Sequence, residues 1–170
     1  DILRKSGAAK ARKKSGRSTK EGIILHYIHP GSKLGVLIEI NCETDFVAKT
    51  DDFQNLSKDI AMHIAASAPM SISREEIPSE TLEREKAIYA DQAKQSGKPE
   101  NIIEKMIDGR LNKFYQENVL LEQTFVKDPD KTVQDLITDT VAKLGENIII
   151  SRFSRFQLGE KTNNSDPSNN

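Results

Sequence analysis

The chain has 170 residues, which is enough for one well-buried core but too few for two full-sized domains. Hydrophobic residues make up 36% of it, and no apolar run approaches the roughly 20 residues of a membrane-spanning helix, so we expect no membrane association. Its single cysteine, Cys42, excludes an internal disulfide and a multi-cysteine zinc cluster, which favours a reducing compartment such as the cytoplasm.

Basic residues are concentrated at the start of the chain. Residues 1–20 carry eight of the 25 lysines and arginines but one of the 26 acidic residues, so the remainder of the chain is acidic. A uniformly basic nucleic-acid-binding body is therefore excluded, because phosphate neutralisation needs positive charge on the contacting surface. We predict that residues 1–20 form a basic N-terminal arm, helical or extended, with the solvated surface of a linker.

Two apolar segments and a short turn predict a β-hairpin. Residues 22–29 are rich in β-branched and aromatic side chains, and residues 29–32 have the composition of a turn. From Leu34 to Cys42, apolar residues recur at the two-residue period of a half-buried strand. A third strand is predicted from residue 148, with a β-bulge near Ser154, since Phe153 and Phe156 could otherwise not both face the core.

Helical periodicity and capping residues predict the helices. Thr50 should cap a helix whose apolar stripe packs on the sheet. The stripe consists of Phe53, Leu56, Ile60 and Ile64. Residues 73–76 are predicted to form a capping box, residues 125–129 a linker, and Thr132 and Gly145 the two ends of a later helix.

Residues 79–96 and 99–115 predict two charged antiparallel helices joined at Gly97, so that a helical hairpin spans about residues 79–118. The predicted fold class is α+β: a three-stranded antiparallel sheet packed against helices, with this hairpin protruding. We expect one core domain at residues 21–159 and a flexible C-terminal tail at residues 160–170.

Groups that could support catalysis are scarce. His26, His29 and Cys42 could be imagined as metal ligands, but their spacing fits no strong zinc signature. The nine glycines form no phosphate-binding loop, and no nucleophile elbow is present. We therefore predict a protein without catalytic residues, metal or cofactor, in which any nucleotide chemistry occurs on a partner.

The segment from Cys42 to Lys49 lies between a predicted strand and a predicted helix. Its Phe46 belongs to neither apolar stripe and follows Glu43 and Asp45. The ring could fold back and fasten the segment to the core, which the residues alone favour somewhat. Alternatively, it could be presented at the tip as a hot-spot anchor for a partner's pocket.

Five separated blocks of the sequence resemble the elongation factor Ts family. They are GIILHYIHPGSKLGVLIEINCETDFVAK at 22–49, KDIAMHIAA at 58–66, QSGKPENIIEKMIDGRLNKF at 95–114, QTFVKDP at 123–129 and SRFSRFQLGE at 151–160. The blocks follow the family's order, and TDFVAK falls at the expected junction of a strand and a helix.

The resemblance implies a guanine nucleotide exchange factor that binds elongation factor Tu carrying GDP. In this family the Asp-Phe pair enters the partner's nucleotide domain, which places Asp45 and Phe46 at the contact, flanked by Thr44 and Val47. His63 matches a family position that touches another domain of the partner, although a half-buried histidine is a comparable interpretation. Met62, on the other side of that helix, would face either the partner or solvent.

Further expectations follow from the family's variation. Longer members begin with a small helical domain, of which this sequence resembles only the downstream linker, so reduced affinity is expected. Short members form homodimers, and the last strand offers an open edge for such a dimer through the core sheet. Some of these members have cysteine where this chain has Ser154, so a dimer here need not be covalent.

The expected location is the bacterial cytoplasm, or alternatively an organellar matrix or stroma. The alternative function is an RNA- or ribosome-associated protein that uses the basic arm.

Overall fold

The computed structural model describes residues 2–161, with an α+β fold. Its strands are β1 (Glu21–Ile28), β2 (Leu34–Cys42), β3 (Thr124–Phe125), β4 (Asp128–Thr132) and β5 (Ile149–Gln157). Its α-helices are α1 (Ile2–Lys14), α2 (Asp45–Ala48), α3 (Asp51–Ser67), α4 (Ser79–Lys94), α5 (Glu100–Asn118) and α6 (Val133–Leu144). Short 3₁₀ turns occupy Arg74–Glu76 and Leu120–Glu122.

Strand β2 is the centre of the three-stranded antiparallel sheet, with β1 and β5 at its edges. Its alternation is visible in the burial pattern, because Val36, Ile38, Ile40 and Cys42 are all buried on one face. Helix α3 covers that face with its fully buried Phe53, and α6 packs on α3 and adds buried residues to the same core. The predicted fold class, with its sheet and helices, is confirmed.

The β-bulge in β5 lies at Ser151 and not near Ser154, so that prediction is wrong. Arg152 pairs with Glu39 and Ile150 with Ile40, which leaves Ser151 as the additional residue. Because Ser151 is an additional residue in the strand, Ile150 and Phe153 both face the core although they are three residues apart. Phe156 therefore lies on the other face of the sheet, where it is 68% exposed.

The capping residues correctly predicted the start of α3 and both ends of α6. Thr50 Oγ1 accepts a hydrogen bond from the Phe53 N–H at 3.3 Å. Thr132 and Asp135 form a reciprocal capping box, and Gly145 ends α6 in the left-handed conformation with a φ of 75°.

The capping box predicted at residues 73–76 does not form. Ser73 makes no capping hydrogen bond, and Glu76 Oε2 instead accepts from the Ile72 N–H at 3.0 Å. The prediction of a linker at residues 125–129 is also wrong. Strands β3 and β4 form a small antiparallel hairpin there, and it is fastened to the core by the buried ring of Phe125.

Helices α4 and α5 pack on each other as the predicted hairpin, with Gly97 in the left-handed conformation at the turn. The pair is largely exposed, and a small cluster of Ile77, Phe114 and Val119 buries its base, separate from the main core. Arg74 fastens this base through two hydrogen bonds to the Glu122 carboxylate, at 2.6 and 2.8 Å.

The basic arm is helical and attached along one side, because α1 packs on α6. A methyl group added at Gly7 would lie 3.8 Å from Ala142 Cβ. Beyond the helix, the Asn147 amide donates to the Ser15 and Arg17 carbonyl oxygens at 3.3 and 2.9 Å. The division into arm, core domain and tail stays a prediction, and the tail from residue 162 lies outside the described residues.

Candidate functional site

Helix α2 is a single turn that follows β2 and presents two side chains to solvent. Thr44 is extended, and its hydroxyl oxygen accepts from the Val47 N–H at 3.3 Å, which starts the turn. Val47 and Ala48 face inwards and are buried. Asp45 and Phe46 face outwards, with 69% of the Asp45 side chain and 79% of Phe46 exposed.

The interpretation of Phe46 as a residue that fastens the segment to the core is therefore wrong. Val47 and Ala48 do this, because they are the positions of the turn that point towards β1 and β2. Phe46 precedes them and points away. The ring is thus exposed beside a carboxylate on a turn whose other side is held in the core, as an anchor for a partner requires.

Several hydrogen bonds fix this turn, and we refer to residues 43–48 as the tip loop. Glu146, which follows α6, accepts from the Glu43 and Thr44 N–H groups at 3.1 and 3.0 Å and from the Thr44 hydroxyl at 2.7 Å. The Cys42 thiol donates to the Thr44 carbonyl oxygen at 3.1 Å. The sequence analysis missed Glu146, since it is separated from these partners by more than 100 residues.

Cys42 has a structural role in this arrangement. Burial, reinforced by the nearby Glu146 carboxylate, raises the pKa of the Cys42 thiol to about 11. It is therefore protonated at neutral pH and is a poor nucleophile or metal ligand. Within residues 2–161, no group of three or more His, Cys, Asp or Glu side chains is arranged to hold a metal ion. In the same residues no helix is long and apolar enough to cross a membrane.

His63 lies on α3 and has no exposed surface. Its Nδ1 accepts from the Val126 N–H at 3.3 Å, so Nε2 carries the proton and donates to Gln123 Oε1 at 2.9 Å. The ring therefore ties α3 to the β3–β4 hairpin. It is not half-buried, as one prediction had it, and the folded chain does not offer it directly to a partner.

Met62, the neighbour of His63, is half-buried. Counted along α3 from Asp51, the two residues lie roughly 18 Å from the start of the helix. The structure thus keeps Thr44, Asp45, Phe46 and Val47 together and places Met62 and His63 at the far end of α3.

The outer face of the sheet is the second exposed apolar area, opposite the face that α3 covers. It carries Ile24, Leu37 and Phe156, which are 64%, 50% and 68% exposed. Near them Arg152 Nε donates to Glu39 Oε1 at 2.8 Å. Large apolar side chains clustered on an exposed sheet face are typical of an interaction surface.

A family model described as Elongation factor TS matches residues 9–160. This chain belongs to the elongation factor Ts family. Elongation factor Ts of Geobacter sulfurreducens is 60% identical over 160 residues, which cover 94% of this chain and 74% of that protein. The corresponding proteins of Fervidobacterium nodosum and Caldanaerobacter subterraneus are 58% and 56% identical over 160 residues, again 94% of this chain, and 81% and 80% of their own lengths.

Membership of the elongation factor Ts family confirms the resemblance found in the sequence and makes the chain a factor of translation elongation. The match spans the sheet, the tip loop, α3, the helical hairpin and β5 in one continuous block. The relatives named above are bacterial proteins.

His63→Leu should lower the stability of the folded chain by about 3 kcal/mol at pH 7.5, because Gln123 and the Val126 N–H lose a buried partner. Burial, partly offset by the bond to Gln123, lowers the pKa of His63 below its ordinary value of 6.5. Between the lowered pKa and 6.5, His63 binds a proton in the unfolded chain but not in the folded one. The contribution of His63 to stability is therefore fully present above pH 6.5 and is lost as the pH falls below it.

The stability difference between the two proteins should therefore shrink as the pH falls from 7.5 to 5. Urea denaturation at a series of pH values measures it directly, and taking the difference cancels the titration of all groups that the two proteins share. A difference that stays constant over this range would contradict the assigned role of the ring.

Proposed function

We propose that this chain is a guanine nucleotide exchange factor that binds elongation factor Tu·GDP and promotes release of GDP. The observation that carries the proposal is the exposed Phe46 ring beside Asp45 on a turn anchored from behind. Family membership supports the choice of partner. On this proposal the chain works in the cytoplasm and is not an enzyme, because it makes and breaks no covalent bond.

The proposed mechanism is insertion of the tip loop into the nucleotide domain of the partner. The Phe46 ring would occupy an apolar gap between partner helices, while the Asp45 carboxylate would disturb the water and Mg²⁺ near the nucleotide. Weaker Mg²⁺ and phosphate contacts raise the rate of GDP dissociation. Because binding is reciprocal, tight binding of the exchange factor and tight binding of GDP oppose each other on the same partner.

The remaining residues predicted at the contact differ in whether they would touch the partner or act from inside the chain. Thr44, which is exposed, would contact the partner at the rim of the tip loop. Val47 was predicted to contact the partner too, but it is buried, so it would shape the tip loop from the inside. Met62 would contact a second region of the partner through its exposed part. His63 would act through the position of the β3–β4 hairpin and not by touching the partner, since its ring is enclosed.

A nucleotide release assay tests the proposal. Elongation factor Tu loaded with a fluorescent GDP analogue is mixed with excess GDP and with this chain at a concentration well below that of the partner. Acceleration with turnover, in which each molecule of the chain discharges many partner molecules, is the expected result. A release rate equal to that without the chain would refute the proposal.

We further propose that two copies of the chain form a homodimer through the core sheet, with the outer face as the contact and the edge strand β5 beside it. The face has the three exposed apolar side chains described above, and a two-fold axis would also let Glu39 of each copy meet Arg152 of the other. A surface that pairs with itself in this way favours a second copy of the chain over an unrelated partner.

Leu37→Glu should disrupt such a dimer, because it places a charge at the centre of the apolar area. An unpaired buried charge costs about 3 kcal/mol, so the dissociation constant should rise roughly 100-fold. Analytical ultracentrifugation over a concentration series measures the change. The matched control is Ile102→Glu, on the exposed side of the helical hairpin, which should leave association unchanged. A wild-type chain that is monomeric at high micromolar concentration would contradict the dimer.

A further inference from the structure

The side chain of Glu146 is bound to the tip loop. Within residues 2–161, its side chain makes three hydrogen bonds, and all three go to residues 43 and 44, at 2.7 to 3.1 Å. One carboxylate oxygen accepts from two consecutive backbone N–H groups, and the other accepts from the Thr44 hydroxyl, whose oxygen also starts α2. A charged acceptor with three donors forms stronger bonds than a neutral one.

The backbone of Glu146 is itself held on both sides. Gly145 ends α6 in the left-handed conformation and turns the chain towards the loop. Asn147, which is buried, donates to two carbonyl oxygens at the end of α1. The next residue, Ile148, is buried in the main core. Glu146 therefore reaches the tip loop from a rigid junction of α1, α6 and β5.

Glu146 supplies the only side-chain acceptor for the first two N–H groups of the tip loop within residues 2–161. Without Glu146, the two N–H groups of residues 43 and 44 lose their protein acceptor, and the Thr44 hydroxyl keeps only its bond to the Val47 N–H. The Thr44 carbonyl oxygen would still accept from the Cys42 thiol and the Ala48 N–H. Val47 and Ala48 would still hold the inner side of the turn. The direction in which residues 45 and 46 leave the sheet would then vary.

We infer that Glu146 is a positioning residue. Its carboxylate holds the tip loop of the free chain in the conformation that inserts into the partner. The inference rests on the proposed exchange function and adds to it a residue that does not itself touch the partner. A loop ordered in advance binds more tightly, since association does not have to restrict it.

The test compares the wild-type chain with Glu146→Ala, Glu146→Gln and the control Glu122→Ala. Glu122 is also a partly buried carboxylate that joins distant segments, but it binds Arg74 at the hairpin base. Two measurements are made on each protein. Hydrogen exchange followed by NMR reports the Glu43 and Thr44 amides, and GDP release from elongation factor Tu is measured as the chain concentration rises.

For Glu146→Ala, we expect both amides to exchange about tenfold faster and the half-saturating concentration to rise about tenfold, with the maximal release rate near that of wild type. Glu146→Gln keeps an oxygen that can accept both N–H bonds, so it should stay within about threefold of wild type. Glu122→Ala should leave the two amides and the half-saturating concentration unchanged.

The inference would be overturned, with the exchange function intact, by unchanged amide exchange in Glu146→Ala, by an unchanged half-saturating concentration, or by an equal loss in Glu122→Ala. The last would indicate general destabilisation. A fall in maximal rate alone would also overturn it, since this would place Glu146 in the release step. A wild-type chain that does not accelerate release at all would instead refute the proposed function.

Discussion

Phe46→Ala should remove nearly all of the GDP release that the chain stimulates, while leaving its thermal stability unchanged. The ring is 79% exposed, so its removal costs the folded chain almost nothing. In the complex the same ring would be an enclosed anchor, and truncating such an anchor costs about 3 kcal/mol, or roughly 100-fold in affinity. The release assay at fixed low chain concentration measures the loss, and calorimetry measures the stability.

The control is Phe156→Ala, which removes a ring of similar exposure. Phe156 pairs with Gly35 near the start of β2, whereas the tip loop follows the end of that strand, so roughly 25 Å of strand separates the two rings. We expect this variant to release GDP as the wild type does. Full activity of Phe46→Ala would show that the tip loop does not act through its ring, and the proposed mechanism would fail.

Gly22→Ala should produce a large loss of stability. Gly22 has a φ of 145°, a conformation that residues with a side chain rarely adopt. An alanine Cβ there would lie 2.1 Å from the Ile40 carbonyl oxygen and 2.7 Å from Asn41 Cα. Both are backbone atoms of the central strand, so relief requires β1 to separate from β2 at this end. We expect a cost of about 4 kcal/mol and a melting temperature lower by about 10 °C.

Gly109→Ala is the matched control for this substitution. Gly109 is exposed within α5, and an added Cβ meets nothing within 4 Å. Alanine is the better helix former, so the variant should gain about 0.5–1 kcal/mol. Similar melting temperatures for the two variants would contradict the close approach of β1 to β2 at Gly22.

Much of the fold could be predicted from the sequence because it is encoded locally. The alternation from Leu34 to Cys42 matches the buried face of β2, and the stripe of α3 from Phe53 to Ile64 lies against it. Thr50, Thr132 and Gly145 mark helix ends through contacts within four residues. The position of the tip loop between β2 and α3 followed from the same local signals.

The features that sequence analysis missed depend on distant partners. Glu146 and Thr44 are 102 residues apart, and nothing in either neighbourhood marks the pair. His63 lies at the edge of a helical stripe, and its burial is decided by Gln123 and the β3–β4 hairpin, which the sequence did not predict. The bulge at Ser151 is set by the register with β2. The positions of Phe153 and Phe156 in the sequence had suggested a bulge three residues later.

The separate base of the helical hairpin bears on how the chain tolerates changes in length. Ile77, Phe114 and Val119 are buried at this base. Arg74 lies there too, 4.2 Å from the centre of the Tyr115 ring, and binds Glu122, so these contacts are at the end of the hairpin opposite its turn. The far turn at residues 95–99 touches neither core. Whole helical turns could therefore be deleted or inserted there during evolution, and a foreign peptide could be grafted there by protein engineers, without altering the sheet or the tip loop.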